Sequence, residues 1–325
     1  MLARHNDTRF MAAAVALSQR GRGRTGENPN VGCIIVKNGL IIGRGWTQPG
    51  GRPHAEAMAL AQAGAAAKGA DIYVTMEPCA HESTRGPTCA NLVIEAAPAR
   101  VIVATLDIDD RTRRHGIDRL GDAGISVSVG VLEQQAYRAM AGFFTRMEKG
   151  RPHVTLKLAM SLDGCIAMAD GSSKWITGDR ARAHAHLERA RCDAILVGAG
   201  TVVADNPGLD VRLAGLEERS PTPVVLGKAE VGDHWLEIAV PEAIAGLDRI
   251  NWLLVEGGAA TATSFLKANL VDRLLLYRAP IIIGGGLPGI ADIGLSSLDV
   301  THGQWNRQDR RDLGQDMLEI YEPAA

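Results

Sequence analysis

Four residues in the first third of the chain carry the side chains of a hydrolytic metal site. His54, Cys79 and Cys89 offer three zinc ligands, and Glu56 offers a carboxylate two residues after the histidine. Zinc in catalytic sites typically keeps three protein ligands and leaves its fourth position for water, whose pKa falls to roughly 7 on coordination. A carboxylate beside that water can pass a proton to a departing amine, as in the zinc deaminases of nucleobases. The pattern predicts a deaminase site with Glu56 as its catalytic residue.

A closed structural zinc site is the alternative interpretation of the same side chains. Such a site normally takes four protein ligands, often as paired C-x-x-C motifs. His81 is the nearest candidate for a fourth ligand, but it follows Cys79 so closely that we interpret it as a residue lining the pocket. The H-x-E motif with a downstream P-C and a second cysteine favours the catalytic interpretation.

Length and composition limit the class of protein. A chain of 325 residues suggests two domains, and a net charge of -2 gives no basic field that would draw the protein to nucleic acid, so a small-molecule substrate is expected. The first residues, MLARHNDTRF, lack an apolar stretch, and no run approaches the length of a membrane span, which predicts a cytoplasmic protein without a membrane segment. Five cysteines, an odd count, favour reduced thiols and a metal over a disulfide framework.

The elements of the first half place the candidate ligands where strands lead into helices. Asp7 is a plausible N-cap for a helix over 7–20, and Asn38-Gly39 predicts a type I′ turn in a hairpin over 31–46. Further along we predict helices over 54–67 and 89–97, each after a strand, and strands over 70–78 and 99–107. In this βαβαβ-like order, the free N–H groups at a helix start would stabilise cysteine thiolates.

A second domain is predicted after the polar stretch RMEKGRP, which places the boundary at about 147–151. We expect domains over 1–147 and 151–325. Helices are predicted over 179–191 and 260–269, between mostly buried strands that suit a parallel sheet. The predicted strands are HVTLKLAM, CDAILVGAG, TPVVLG, NWLLVEGG and DRLLLYRAPIIIGG. VEGGAATATSFL predicts a strand, a Gly-Gly turn and a helix. The start of this helix could bind phosphate, or the two glycines could serve only the packing of the helix against the strand.

Two motif sets on one chain resemble a known family, the bifunctional riboflavin-biosynthesis proteins that join a pyrimidine deaminase to a pyrimidine reductase. The matching stretches of the first half are ENPNVGCIIVKNG, HAEAMAL, YVTMEPCAH, GPTC and DAGISVSVGVLE. Those of the second half are GRPHVTLKLAMSLDG, GSSKWIT, DAILVGAGTVVADNPGLDVR and LLVEGGA. The order of two unrelated motif sets is more specific than either set alone.

The resemblance implies a fold and two reactions. It implies an α/β protein with a cytidine-deaminase-like three-layer domain, followed by a dihydrofolate-reductase-like domain. The first would hydrolyse the amine from 2,5-diamino-6-ribosylamino-4(3H)-pyrimidinone 5′-phosphate with Zn²⁺, and the second would reduce the ribosyl group to ribityl with NADPH. A homodimer formed through the second domain is also implied.

The resemblance further implies residues for the reductase site. Those expected to bind NADPH are Ala159, Trp175, Thr201, Asp205 and the run Gly258, Ala259, Ala260, Thr261, Ala262, Thr263 and Ser264. Those expected to bind the pyrimidine ribotide are Ser173, Arg189, Leu209, Arg212 and Glu256. A guanidinium suits a 5′-phosphate because it can bind two oxygens at once, although either arginine could instead form a surface ion pair. Asn28 matches a position near the deaminase substrate, and a turn-forming role before Pro29 is equally reasonable.

Three segments depart from the family pattern. CAHESTRGPTC is one residue longer than the usual loop, so substrate contacts from Thr84 and Arg85 do not transfer directly. LDIDDRTRRHG replaces a stretch usually written D-P-N-P, which changes the pocket near Asp107 and His115. VVLGK stands where the family commonly has V-V-L-D, and its Lys228 could either meet an NADPH phosphate or be a solvated loop lysine.

Two other functions fit parts of the sequence. The chain could be a zinc deaminase of another nucleobase with a second domain that is not a reductase, although such enzymes usually carry C-x-x-C. It could also be a non-catalytic zinc- and nucleotide-binding regulator, which Glu56 argues against.

Overall fold

A computed structural model describes residues 2–81, 86–109 and 112–324. The chain divides into two compact units, Met1–Gly150 and Arg151–Ala325. The division falls in the polar stretch RMEKGRP. Within the described ranges, no helix is both long enough and apolar enough to cross a membrane.

The first unit contains one mixed sheet and the helices that pack on it. Its helices are Leu2–Ser18 (α1), Ala55–Ala63 (α2), Cys89–Ala96 (α3), His115–Asp122 (α4), Glu133–Ala139 (α5) and Ala141–Lys149 (α6). Its strands are Gly32–Lys37 (β1), Leu40–Trp46 (β2), Asp71–Met76 (β3), Arg100–Thr105 (β4) and Ser126–Val129 (β5). Over the described residues the strand order is β2-β1-β3-β4-β5; β1 is antiparallel to both neighbours, and β3, β4 and β5 are parallel.

Close glycine contacts show that α1 and α2 lie on opposite faces of this sheet. A Cβ atom on Gly32 would lie 2.1 Å from the Ala14 carbonyl oxygen of α1, and one on Gly45 would lie 1.9 Å from the Ala55 carbonyl oxygen of α2. Gly45 pairs with Cys33, the residue after Gly32, and successive residues of a strand face opposite sides. The unit therefore has three layers, with the sheet between helices.

The predicted elements of the first unit are confirmed, with two corrections. Asn38 and Gly39 both have positive φ angles, 52° and 76°, as a type I′ turn requires. The N-cap role predicted for Asp7 is wrong, because α1 begins at Leu2 and the Asp7 carboxylate instead accepts hydrogen bonds from Tyr73 Oη (2.7 Å) and Arg100 (2.8 Å). The helix predicted over 54–67 ends as an α-helix at Ala63, where Gly64 with a φ of 53° leads into a 3₁₀ turn.

The second unit is built on a larger sheet. Its strands are His153–Met160 (β6), Cys165–Ala167 (β7), Ala194–Gly198 (β8), Thr222–Leu226 (β9), Leu236–Ile238 (β10), Trp252–Val255 (β11), Arg273–Arg278 (β12), Leu287–Pro288 (β13), Trp305–Leu313 (β14) and Asp316–Pro323 (β15). Its helices are Asp179–Arg189 (α7), Ala199–Asp205 (α8) and Ala259–Lys267 (α9). Among the described residues the order is β10-β9-β8-β11-β6-β12-β15-β14, and β7 pairs separately with β13.

The parallel sheet predicted for this half is confirmed from β10 to β12, and the far edge differs. There β12, β15 and β14 are antiparallel. The strand predicted to run from Asp272 to Gly285 is too long, because β12 ends at Arg278 and Pro280 cannot donate a ladder hydrogen bond. The hairpin of β14 and β15 was not predicted, since β14 reads WNRQDRRDL, a charged and largely exposed edge strand.

Candidate active sites

The start of α2 presents His54 and Glu56 to one cavity of the first unit. His54 is the N-cap residue and Glu56 lies in the first helical turn. The missing side chain of Gly45 lets this turn rest directly on β2, because any larger residue would collide with the Ala55 carbonyl. The sheet therefore fixes where the imidazole and the carboxylate point.

The three predicted ligands converge. His54 Nδ1 lies 3.2 Å from Cys89 Sγ and 3.5 Å from Cys79 Sγ, and the three donor atoms all lie within 4.8 Å of one another. The three side chains are therefore close enough to bind one metal ion together. One imidazole nitrogen and two cysteine sulfurs are donors that suit zinc, and three protein ligands leave one position for water.

Local structure favours a thiolate at Cys79, whereas the contact with Cys79 and burial raise the pKa of the Cys89 thiol. Cys89 is the first residue of α3, whose N-cap Thr88 accepts a hydrogen bond from the Asn91 N–H (3.2 Å). The Cys89 backbone N–H points to Cys79 Sγ at 3.4 Å. Hydrogen bonds from Cys89 and His54 lower the pKa of the Cys79 thiol. A thiol that ionises readily is the form that binds zinc.

Glu56 is buried beside the ligands. Glu56 is 3% exposed, and burial raises the pKa of its carboxyl to about 7. A carboxyl that titrates near neutral pH can both accept and return a proton. Its role as the proton carrier, predicted from the H-x-E motif, stays a prediction.

The cavity has a volume of about 430 Å³, and one wall of it is apolar. That wall includes Phe143 and Met147, which lie four residues apart on α6 and therefore on one face of the helix. Neither residue was predicted to line the site, and Met147 belongs to the polar stretch RMEKGRP, which was interpreted as the domain boundary. They give a planar ring an apolar surface to pack against.

The remaining walls contain several residues discussed from the sequence. Asn28 and His81 both line the cavity. Asn28 also shapes its turn, since its Nδ2 donates to the Thr25 carbonyl at 3.2 Å, and its contact with the substrate stays a prediction. Asp107 lines the cavity and accepts hydrogen bonds from Thr112 Oγ1 (2.8 Å) and the Asp109 N–H (3.1 Å).

His115 is the first residue of α4 and is not part of the described cavity wall. Thr84 and Arg85 lie outside the described residues.

A second cavity, of about 550 Å³, lies in the second unit, where most of the predicted reductase residues meet. The predicted residues that line it are Ala159, Ser173, Trp175, Arg189, Thr201, Asp205, Leu209, Arg212, Glu256 and Gly258. The remaining ones, Ala259, Ala260, Thr261, Ala262, Thr263 and Ser264, form the start of α9 immediately behind Gly258. Trp175 is 69% exposed, and the Arg182 guanidinium stacks on its ring at 4.5 Å.

A buried ion cluster lies in the wall of this cavity. Arg189 binds both carboxylate oxygens of Glu256, at 2.8 and 3.0 Å, and Lys157 Nζ lies 3.5 Å from the same carboxylate. Burial alone would raise the pKa of Glu256, but the charges of Lys157 and Arg189 lower it to about 2. Lys157 was not predicted from the sequence, where it is one residue of an apolar strand.

The Gly-Gly turn leads into α9 as predicted. A Cβ atom on Gly257 would lie 2.3 Å from Thr261 Cβ, so the turn needs glycine to let α9 start directly after β11. The N-terminus of α9 thus lies at the carboxyl edge of the parallel strands, where α/β proteins bind nucleotides. Phosphate binding at this helix start stays a prediction.

Both halves of the chain match families of known proteins. Residues 4–105 match the family model for the cytidine and deoxycytidylate deaminase zinc-binding region, and residues 152–311 match that for the RibD C-terminal domain. The riboflavin biosynthesis protein RibD of Aquifex aeolicus is 40% identical over 91% of this chain and 93% of its own length. The chain belongs to the RibD family.

Solved RibD structures share the whole fold. A RibD structure from Acinetobacter baumannii superposes with a TM-score of 0.87 at 33% identity, covering 99% of this chain and 100% of that one. A deaminase/reductase from Thermotoga maritima gives a TM-score of 0.86 at 32% identity over the same shares. The predicted fold class is confirmed: a cytidine-deaminase-like domain precedes a RibD reductase domain.

Membership in the RibD family also decides between the functions considered from the sequence. RibD proteins are bifunctional deaminases and reductases of riboflavin biosynthesis, with a zinc-binding deaminase domain and a reductase domain that suits NADPH. The match of residues 152–311 to the RibD C-terminal domain disfavours a deaminase with a second domain that is not a reductase. The non-catalytic regulator is not supported either.

Proposed function

We propose that the chain deaminates 2,5-diamino-6-ribosylamino-4(3H)-pyrimidinone 5′-phosphate in its first unit and reduces the ribosyl group of the product to ribityl in its second. The observation that carries the deaminase half is the meeting of His54, Cys79 and Cys89 beside a buried Glu56 in one cavity. Ammonia release from this ribotide, but not from cytosine, guanine or adenosine, is the test. Release from a free nucleobase alone would contradict the proposal.

In the deaminase site, each residue has a distinct task. His54, Cys79 and Cys89 would hold Zn²⁺, which when bound supplies Lewis-acid activation of water at neutral pH. Glu56 takes the proton from the attacking water and delivers it to the departing amine, a role that its buried position beside the three ligands supports. Phe143 and Met147 provide the apolar surface for the pyrimidine ring, and Asn28 and Asp107 provide polar contacts at its edge.

In the reductase site, cofactor and substrate residues share one cavity. NADPH supplies the hydride when bound. Ala159, Trp175, Thr201, Asp205 and the start of α9 from Gly258 to Ser264 would hold it. Ser173, Arg189, Leu209, Arg212 and Glu256 would hold the ribotide, with the hydride acceptor at the sugar carbon attached to the amine.

The two arginines differ in what they can offer a phosphate. Arg189 is bound to Glu256 and donates to the Asp210 carbonyl at 3.0 Å, so most of its hydrogen-bonding capacity is taken. The Arg212 side chain is 65% exposed, and its nearest ionic partner is Asp210 at 3.7 Å. Arg212 is therefore the better partner for the 5′-phosphate, and Arg189 holds Glu256 in place.

We expect Arg212→Ala to weaken ribotide binding in the reductase site and to leave the deaminase unchanged. Loss of a charged phosphate contact typically costs ~1.5–3 kcal/mol, so the reductase KM should rise about tenfold or more. Steady-state kinetics with the deaminated ribotide measure this. Arg310→Ala, at an exposed residue of β14, is the matched control. An unchanged KM in the Arg212 variant would return this residue to the surface ion-pair interpretation.

Lys228 tests how the reductase distinguishes NADPH from NADH. It is exposed two residues after the end of β9, and its neighbour Gly227 approaches the start of α8, since a Cβ there would lie 3.4 Å from Ala199 Cβ. If Lys228 meets the additional phosphate of NADPH, Lys228→Ala should raise the NADPH Kd roughly tenfold, about 1.4 kcal/mol, and leave NADH binding unchanged. Equal NADPH Kd values in the two proteins would show that Lys228 is a solvated loop residue.

A homodimer and a cytoplasmic location belong to the same proposal. The first rests on the family resemblance and the second on the composition of the sequence. Sedimentation velocity and cell fractionation test them.

A further inference from the structure

Glu77 is a buried carboxylate that no part of the proposed mechanism uses. It follows β3 directly, precedes the Pro78-Cys79 turn, and is 6% exposed. Its own backbone N–H donates to the Thr105 carbonyl at 3.0 Å, which ties it to the end of β4. The residue thus stands two positions before a zinc ligand and is held to the neighbouring strand.

The Glu77 carboxylate binds the segment that follows β4. Oε1 accepts the Gly116 N–H at 2.8 Å and the Ile117 N–H at 3.3 Å, while Oε2 accepts the Arg114 N–H at 3.0 Å and the Asp107 N–H at 3.3 Å. These donors include the start of α4, where a negative charge is favourable. Both oxygens are thus engaged by backbone donors, which distinguishes Glu77 from the proton carrier Glu56.

A second contact joins the same two segments without any charge. A Cβ atom on Gly116 would lie 2.0 Å from the Pro78 carbonyl oxygen. The first turn of α4 therefore rests against the peptide group that leads into Cys79. The segment that starts at Asp107 also supplies Asp109 and Thr112 to the cavity wall.

We propose that Glu77 is a positioning residue that sets the ligand Cys79 and the substrate-wall residues Asp107, Asp109 and Thr112 relative to each other. The proposal deepens the deaminase function proposed above and rests on it. Partners behind metal ligands orient those ligands, and their loss typically lowers metal affinity by roughly tenfold or more. In Glu77→Gln, an amide N–H₂ would face backbone N–H donors, so the two segments would separate.

The test measures the metal site as well as activity. For Glu77→Gln we expect zinc affinity, measured by competition with a chromophoric chelator, to fall roughly tenfold. We also expect an altered absorption spectrum of the Co²⁺-substituted protein and a raised deaminase KM. Reduction of the deaminated ribotide in the second unit should match wild type. Gly116→Ala should change the Co²⁺ spectrum in the same direction while Glu77 stays in place.

Glu133→Gln is the matched control, because Glu133 is an exposed carboxylate in the first turn of α5 and should change none of these readouts. If Glu77→Gln does not fold, Glu77→Asp keeps the charge but withdraws it by one methylene, and the same losses are expected. Wild-type zinc affinity and Co²⁺ spectrum in the folded variant would overturn the proposal, even if the melting temperature falls. If the wild-type protein releases no ammonia from the ribotide but zinc affinity still depends on Glu77, the proposed substrate is wrong and the positioning role stands.

Discussion

Glu56→Gln is expected to abolish deamination while zinc stays bound. The amide preserves the size of the side chain but cannot accept and return a proton, and general acid-base catalysis typically contributes ~10²–10⁴-fold to a rate. Glu56 is not one of the three converging donors, so metal binding should survive. Ammonia release measures the loss, and atomic absorption measures the metal.

The second active site of the same chain provides an internal control for this variant. Reduction of the deaminated ribotide by Glu56→Gln should stay near wild type, because Glu56 lies in the first unit. Glu95→Gln, at an exposed residue of α3, should leave both activities intact. Loss of zinc in the Glu56 variant, or equal loss of both activities, would contradict the assignment of Glu56 to proton transfer.

Cys79→Ser or His54→Ala should lose zinc and deaminase activity together. Each variant removes one of three protein ligands, and the free energy of zinc binding depends on all of them jointly. A serine hydroxyl is a poor replacement, since zinc takes the ionised thiol and hydrogen bonds already favour ionisation at Cys79. Metal content by atomic absorption and ammonia release check the two losses.

Cys165→Ser makes the same chemical change at a buried cysteine of the second unit and should leave zinc content unchanged. The reductase should remain active in both ligand variants, because its cavity lies wholly within the second unit. Wild-type metal content in both ligand variants would mean that the zinc site has been misplaced.

Local sequence signals predicted much of the first unit. The Asn38-Gly39 turn and the positions of His54 and Cys89 at helix starts follow from short-range rules, and the structure confirms them. Cys79 instead lies in the loop that follows β3. Glu77 was not predicted, because its partners lie 30 to 40 residues further along the chain. The local sequence T-M-E-P-C does not indicate that the Glu77 carboxylate will accept hydrogen bonds from the start of α4.

The second unit shows the same limit. Lys157, Arg189 and Glu256 come from β6, α7 and the turn after β11, and only the parallel sheet brings them together. Family resemblance could name Arg189 and Glu256 as substrate residues, but it could not show that they bind each other. The hairpin of β14 and β15 was missed because its charged residues hide the alternation that usually indicates a strand.

The central claim is that one chain carries two sites that act in sequence on one substrate. The most direct test is to give the wild-type protein zinc, NADPH and the diamino-pyrimidine ribotide and to follow ammonia and the nicotinamide absorbance together. We expect equal amounts of ammonia released and NADPH oxidised, with ammonia appearing first. In Glu56→Gln, NADPH oxidation should stop and return when the deaminated ribotide is supplied. Ammonia release without NADPH oxidation, or silence in both signals, would contradict the account.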